Sequence, residues 1–187
     1  MGTLNFTATV SLDGYVADAD GDFDWSGPGD EVFAVHTARI AGVSTEVLGR
    51  KTFALMQYWE NFPGDDDATP EELEFARLWR DIEKIAVSST LTREDLGTSR
   101  ARLVPALTLA ELRKIVDDAP GAVEIFGPTT AAEAIRAGMI DDFHFFVVPK
   151  VVGGGVRALP DDVRLDLTLV ERRVFDDGVA YVHYRPR

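Results

Sequence analysis

The sequence predicts a three-layer α/β domain with a mainly parallel central sheet and an antiparallel C-terminal hairpin. Three observations carry that expectation. Short apolar, β-branched runs alternate with helix-like segments from the start of the chain to about residue 150, the pattern of strand–helix units whose strands lie parallel. The run Phe143–Val148 is nearly all apolar, as a strand covered on both faces is. The last two strand-like runs, Leu165–Val174 and Val179–Arg185, are joined by Asp176-Asp177-Gly178, a hairpin connection.

The elements follow in order. Leu4–Val10 reads as a buried strand. Asp13-Gly14 and Asp20-Gly21 punctuate a long loop that ends near Pro28. Asp30 stands where it can cap a helix to about Ala41, with Val32, Phe33, Val35, His36 and Ile40 on one broad face. Ser44–Leu48 is a short strand and Thr52–Trp59 a helix. Thr69-Pro70-Glu71-Glu72 combines an N-cap, a proline at the first helical position and a capping-box glutamate, opening a helix to about Arg80. Ile82–Ser88 and Arg102–Pro105 are strands, and Thr108-Leu109-Ala110-Glu111 is a second capping box for a helix to about Asp118. Val123–Phe126 is a strand, and Thr129–Ala137 is a helix closed by Gly138. No internal repeat, low-complexity segment or linker interrupts the chain, which reads as one domain over residues 1–187.

Composition narrows the chemistry. With 45% hydrophobic residues the chain can bury a full core unaided. It has no cysteine, which excludes thiol catalysis and thiolate–metal sites and fits a reducing compartment. A net charge of −13 repels nucleic-acid phosphate and argues against a DNA or RNA partner, while leaving room for one anionic ligand in a locally basic pocket. No basic leader precedes the first strand and no apolar run reaches membrane-span length, so a soluble cytoplasmic protein is the expectation. The three histidines, His36, His144 and His183, fall on separate elements and show no metal-ligand spacing, so no metal is expected. The Asp65-Asp66-Asp67 run reads as a solvated loop.

The strongest chemical signal is Val47-Leu48-Gly49-Arg50-Lys51-Thr52-Phe53, a strand that ends in glycine and passes through a basic pair into a helix. Backbone N–H groups at such a helix start hold phosphate, and Arg50 and Lys51 add charge. Two more junctions follow strands: Val87-Ser88-Ser89-Thr90, and Gly127-Pro128-Thr129-Thr130. In a parallel α/β sheet such junctions lie at the carboxyl ends of the strands, where ligands bind. Turn chemistry at Ser88–Thr90 and helix capping at Thr129 or Thr130 explain the same residues without a ligand. No Walker pattern and no complete G-x-G-x-x-G is present.

In order and spacing these pieces resemble the dihydrofolate reductase-like superfamily, and within it the stand-alone relatives of the bacterial riboflavin-pathway reductase domain. The carrying residues are Ser11-Leu12-Asp13-Gly14-Tyr15-Val16-Ala17, Leu48-Gly49-Arg50-Lys51-Thr52, Val87-Ser88-Ser89, Ile125-Phe126-Gly127, and Gly138-Met139-Ile140-Asp141-Asp142 leading to Val148-Pro149-Lys150-Val151-Val152-Gly153-Gly154-Gly155. The resemblance spans residues 4 to about 185. It implies NADPH as cofactor, with Gly49, Arg50, Lys51 and Thr52 on its phosphates and Ser88 and Ser89 at the 2′-phosphate and ribose. It further implies Gly127, Thr129 and Thr130 at the diphosphate, and Thr9, Val16 and Ala17 lining the nicotinamide. It also implies a homodimer, formed through the late strands, and a small-molecule substrate reduced by hydride transfer. Pro128 departs from the paired glycines common in the family and removes one N–H donor, though it suits a helix start.

The acid is harder to read. Trp25-Ser26-Gly27-Pro28-Gly29-Asp30 resembles the W-x-x-P-x-D run of dihydrofolate reductases, which implies Asp30 as the catalytic carboxylate, half-buried beside aromatic side chains with a raised pKa. A plain N-cap explains Asp30 equally well. Asp13, in an Asp-Gly turn, and Asp24 are rival carboxylates. Two departures leave the substrate open: Phe146 stands where dihydrofolate reductases carry a threonine, and Tyr15 where the riboflavin-pathway reductase usually has lysine. They also leave open a non-catalytic nucleotide-binding or sensor protein on the same fold, or an interaction domain with vestigial motifs. A riboflavin-pathway role would take its deaminase step from another protein. Gly153-Gly154-Gly155 reads as a loop or bulge, or as a backbone approach to a ligand phosphate. Met56, Tyr58 and Trp59 read as core packing, with Trp59 a candidate wall of the substrate cleft.

Overall fold

The computed structural model describes residues 2–65 and 67–187; Asp66, in the middle of the acidic run, lies outside the described residues, and its neighbours Asp65 and Asp67 are exposed. The chain gathers into two compact units, one comprising Phe33–Glu124 with the N-terminal residues and the other Thr3–Val32 with Ile125–Arg187. A helix α1 (Asp30–Ile40) and a strand β6 (Ala122–Phe126) carry the chain from one to the other.

The first unit is built on three parallel strands in the order β5 (Arg102–Val104), β4 (Glu83–Val87), β3 (Val43–Gly49). Pairing of Val47 with Ile85 and Leu48 with Ala86 sets four fully buried apolar side chains at the centre. Helices α2 (Arg50–Glu60), α3 (Pro70–Asp81) and α4 (Leu109–Asp118) supply Phe53, Trp79, Leu112 and Val116 to this core. Both capping boxes form as the sequence predicts. The Thr69 hydroxyl accepts from Glu72 N (3.2 Å) while Thr69 N donates to the Glu72 carboxylate (2.8 Å), and Thr108 and Glu111 repeat the exchange.

The second unit pairs β1 (Leu4–Ser11) in parallel with β7 (Asp142–Val148). On β7 lies antiparallel β10 (Ala180–Pro186), and on β10 antiparallel β9 (Leu167–Val174), with an irregularity between His183 and Tyr184. Leu4, Phe6, Phe143 and Phe146 are buried, and the Phe6 and Phe143 rings meet edge to face with centroids 6.3 Å apart. Helix α5 (Pro128–Arg136) brings Ala131, Ala134 and Ile135 to the interior. The mainly parallel α/β class with its antiparallel hairpin is the one the sequence predicts. Beyond that expectation lies a second, two-stranded sheet of β2 (Tyr15–Ala17) and β8 (Val156–Arg157), formed inside segments that read as loop.

The charge distribution also holds surprises. Glu46 is only 3% exposed on β3, its Oε2 has no hydrogen-bond partner, and burial, then the charge of Glu124, pushes its pKa well above the ordinary carboxylate value against the pull of Arg39 and Lys84. Arg39 pairs with Glu124 at 2.7 Å. The histidines scattered along the sequence are not all scattered in space. His144 and His183 pair across β7 and β10 and stack at 4.3 Å, with Asp142 accepting from His183 Nε2 at 2.6 Å. One ligand atom from each of Asp142, His144 and His183 lies within 4.8 Å of the others, His144 Nδ1 is 2.9 Å from the Tyr181 hydroxyl, and the Arg185 guanidinium donates to the same Asp142 oxygen at 2.6 Å. This geometry makes a buried polar network in which Asp142 is already neutralised.

Candidate functional site

In the first unit, two of the three junctions singled out in the sequence emerge side by side. Gly49 ends β3 opposite Val87 at the end of β4, so Arg50–Thr52 and Ser88–Ser89 leave adjacent parallel strands, about 4.8 Å apart. Helix α2 starts without a linker. Gly49 is its N-cap, in extended conformation (φ −74°, ψ 166°) with no side-chain cap, whereas α3 and α4 are both capped by threonine. The opening N–H groups of α2 are therefore left for another acceptor. Arg50 and Lys51 are exposed beside them and Thr52 is half-buried.

Ser88 serves the turn itself, its Oγ accepting from Thr90 N and Leu91 N at 3.1 Å each. The turn chemistry weighed from the sequence is thus present. Ser89 and Thr90 remain exposed. A donor set of uncapped N–H groups, one guanidinium, one ammonium and hydroxyls fits the phosphates of a nucleotide.

The third junction lies in the second unit. Gly127 adopts φ +104° to turn β6 into α5, and Pro128 occupies the first helical position, where its missing N–H costs nothing to the helix. Thr129 is exposed and Thr130 half-buried. A cleft of about 410 Å³ runs along this helix, lined among others by Tyr15, Thr129, Arg136, Gly155 and Arg157. The Arg157 guanidinium lies over the Tyr15 ring at 4.9 Å. No sequence signal marks Arg157, because its partner is set by β2–β8 pairing between distant segments. Thr9 faces Phe146 in the β1–β7 register, and Val16 and Ala17 are half-buried in β2.

The carboxylates separate clearly. Asp30 is exposed, in the first turn of α1. The half-buried setting expected of it is not found, because the Trp25–Gly29 segment before it is an open turn in which Trp25 Nε1 donates to Asp22 O at 3.1 Å. Asp24 is likewise exposed, in a short 3-10 turn. Asp13 accepts from Val152 N at 3.2 Å and from Gly153 N at 2.7 Å. The hydrogen bond from Ser11, followed by those two N–H groups, holds its pKa below the ordinary value despite the upward push of burial. Trp59 packs in an aromatic cluster with Phe33, Tyr58, Phe62 and Phe75, which accounts for it as core. Phe146 is fully buried, 4.9 Å from the Tyr181 ring.

The RibD C-terminal domain family matches residues 2–181. The chain belongs to that family. Three solved structures show the fold. A riboflavin biosynthesis protein from Shewanella sp. PV-4 superimposes with a TM-score of 0.75 at 21% identity, covering 99% of both chains. A diaminohydroxyphosphoribosylaminopyrimidine deaminase/5-amino-6-(5-phosphoribosylamino)uracil reductase from Thermotoga maritima gives 0.64 at 17% identity, covering all of this chain and 57% of the larger protein. Dihydrofolate reductase from Enterococcus faecalis, in complex with NADP(H), gives 0.64 at 16% identity over 100% of this chain and 97% of that one. No curated protein sequence matches. The fold of this RibD C-terminal family member is thus dihydrofolate reductase-like, the one used by reductases of the riboflavin and folate type. No helix among the described residues is long and apolar enough to cross a membrane.

Proposed function

We propose that this RibD C-terminal family member is an NADPH-dependent reductase of a small planar heterocycle, a pteridine or pyrimidine of the riboflavin or folate type. The observation that carries the reading is the pair of adjacent strand ends in the first unit, where the uncapped start of α2 with Arg50 and Lys51 emerges next to Ser88–Ser89. In this reading Gly49–Thr52 hold phosphate through N–H groups and charge, and Ser89 with Ser88 recognises the 2′-phosphate and ribose. Gly127, Thr129 and Thr130 meet the diphosphate, while Thr9, Val16 and Ala17 border the nicotinamide. The bound dinucleotide supplies a hydride from its C4 position to a C=N or C=O carbon. The chain supplies orientation, and Asp30 is the proposed proton donor.

Arg50→Ala should raise the NADPH dissociation constant about tenfold or more, since a charge-assisted phosphate contact contributes about 1.5–3 kcal/mol. Its melting temperature without ligand should match the wild type, because the side chain is exposed. Unchanged NADPH affinity in that variant would refute the role given to Arg50. The exposure of Asp30 favours one second reading, a non-catalytic nucleotide-binding or sensor protein on the same fold, because a proton donor works best screened from bulk water. That reading predicts a thermal shift with NADPH but no oxidation of it in the presence of any pterin or pyrimidine.

A homodimer is part of the proposal. Strand β9 lies at the end of its sheet with Leu169, Val170 and Val174 exposed, an edge that a second copy would cover. Sedimentation should give a dimer, and Val174→Lys should shift it toward monomer.

A further inference from the structure

The segment proposed to border the nicotinamide is anchored by little of its own. Strand β2 has three residues and its partner β8 has two, with an irregularity between Tyr15 and Ala17. So short a ladder does not hold itself in water. What holds it is a set of contacts within residues 11–17 and between them and residues 150–158. Leu12 N donates to Lys150 O at 2.7 Å, Ala158 N to Gly14 O at 3.0 Å, and Tyr15 N to Ser11 Oγ at 3.0 Å. Gly155, at φ +131°, passes so close that a Cβ there would run into the Ala17 carbonyl oxygen and the Asp18 backbone. At the centre sits Asp13, whose two oxygens accept separately from Val152 N and Gly153 N. Both are hydrogen bonds to a charged acceptor, the strong kind.

We propose that Asp13 is a positioning residue, a latch that ties the loop carrying Val16 and Ala17 to the glycine run 153–155 and thereby fixes the wall against which a nicotinamide ring would lie. The proposal rests on the NADPH reading for its ligand, while the latch itself is read from this chain alone. It gives the glycine run a purpose other than phosphate contact: the backbone of Gly153 serves as donor and that of Gly155 as a surface without a side chain. Opening the latch leaves β2 distributed over several positions. Affinity then falls by the fraction of molecules that hold the binding geometry.

The test compares wild type with Asp13→Ala, Asp13→Asn and Gly155→Ala by amide hydrogen exchange and by stopped-flow release of NADPH. Asp13→Ala should accelerate exchange in residues 14–18 and 151–158 about tenfold or more, leave α3 and α4 unchanged, and speed NADPH release by a similar factor. Asp13→Asn, which keeps an acceptor without the charge, should recover part of both effects. Gly155→Ala, which displaces Ala17 while leaving the carboxylate intact, should speed NADPH release as well, and it stands in should Asp13→Ala fail to fold. Unchanged exchange in Asp13→Ala overturns the latch. Faster exchange with unchanged NADPH release overturns the positioning role. Wild-type protein that binds no NADPH overturns the cofactor reading and the proposal with it, whereas wild-type binding unaltered by any of the three substitutions overturns the proposal alone.

Discussion

Replacing Glu46 by glutamine should make the protein more stable at neutral pH, by an amount that grows with pH. Glu46 lies inside the first unit with one oxygen unpartnered, near the Glu124 carboxylate. Its pKa is raised in the folded state, so the native protein binds this proton more tightly than the unfolded chain does. The favourable contribution is complete below the ordinary carboxylate pKa and drains away as pH rises through the window up to the folded value. Each pH unit in that window removes about 1.4 kcal/mol. The total lost grows with the width of that window. Glutamine keeps the shape but does not titrate. Urea unfolding of both proteins at pH 5, 6, 7 and 8 should show the stability difference widening by up to about 1.4 kcal/mol per unit until Glu46 ionises in the native state. A difference that stays constant across that range, or that shrinks as pH rises, would refute the buried-acid argument.

Three further outcomes follow. His36 is half-buried on α1, and desolvation, then the charge of Arg39, lowers its pKa to about 3, so the native protein keeps it neutral while the unfolded chain takes up a proton below pH 6.5. Stability should fall by about 2 kcal/mol between pH 6.5 and 5 through this residue alone, and His36→Gln should remove that part of the acid-side slope in the same urea series. Asp142→Asn should destabilise the second unit by about 2–4 kcal/mol, because it strips the charge from the acceptor shared by His183 and Arg185; a loss below 0.5 kcal/mol in thermal or urea unfolding would contradict the neutralised-network description. Asp142 itself is pushed up by burial yet held below the ordinary carboxylate value by the hydrogen bonds from Arg185 and His183. Its contribution is therefore present above the ordinary carboxylate pKa and drains as pH falls below it, and Asp142→Asn should flatten wild-type stability loss below pH 4.

What could be seen in advance was local. The capping boxes at Thr69 and Thr108 form because both partners lie within one turn. Helix α2 follows a strand that ends in glycine, though it begins at Arg50 and not at the expected Thr52, and Pro128 sits at the first position of α5 as its fixed φ suggests. What escaped depends on pairing between distant segments. The β2–β8 ladder is too short to show periodicity, and the contact of Arg157 with Tyr15 exists only through it. His144 and His183 become neighbours solely through the β7–β10 register. Glu46 sits in a strand whose apolar neighbours announced burial, but nothing nearby in sequence announced that its oxygen would find no donor. The exposure of Asp30 has a related reason: the Trp25–Asp30 run carries a family-like spelling, whereas exposure is decided by how the intervening turn folds.

The aromatic cluster has a practical consequence. Of the three tryptophans, Trp59 touches four other rings and Trp79 is fully buried with the Lys84 ammonium 5.2 Å from its ring centroid, both in the first unit. Trp25 is half-buried in the short 3-10 turn of the second unit. Intrinsic emission is thus weighted toward one half of the molecule, while far-ultraviolet dichroism averages over both. Denaturation curves recorded by the two optical signals will superimpose if the halves melt as one and part company if the half holding Asp13 and the hairpin loosens on its own.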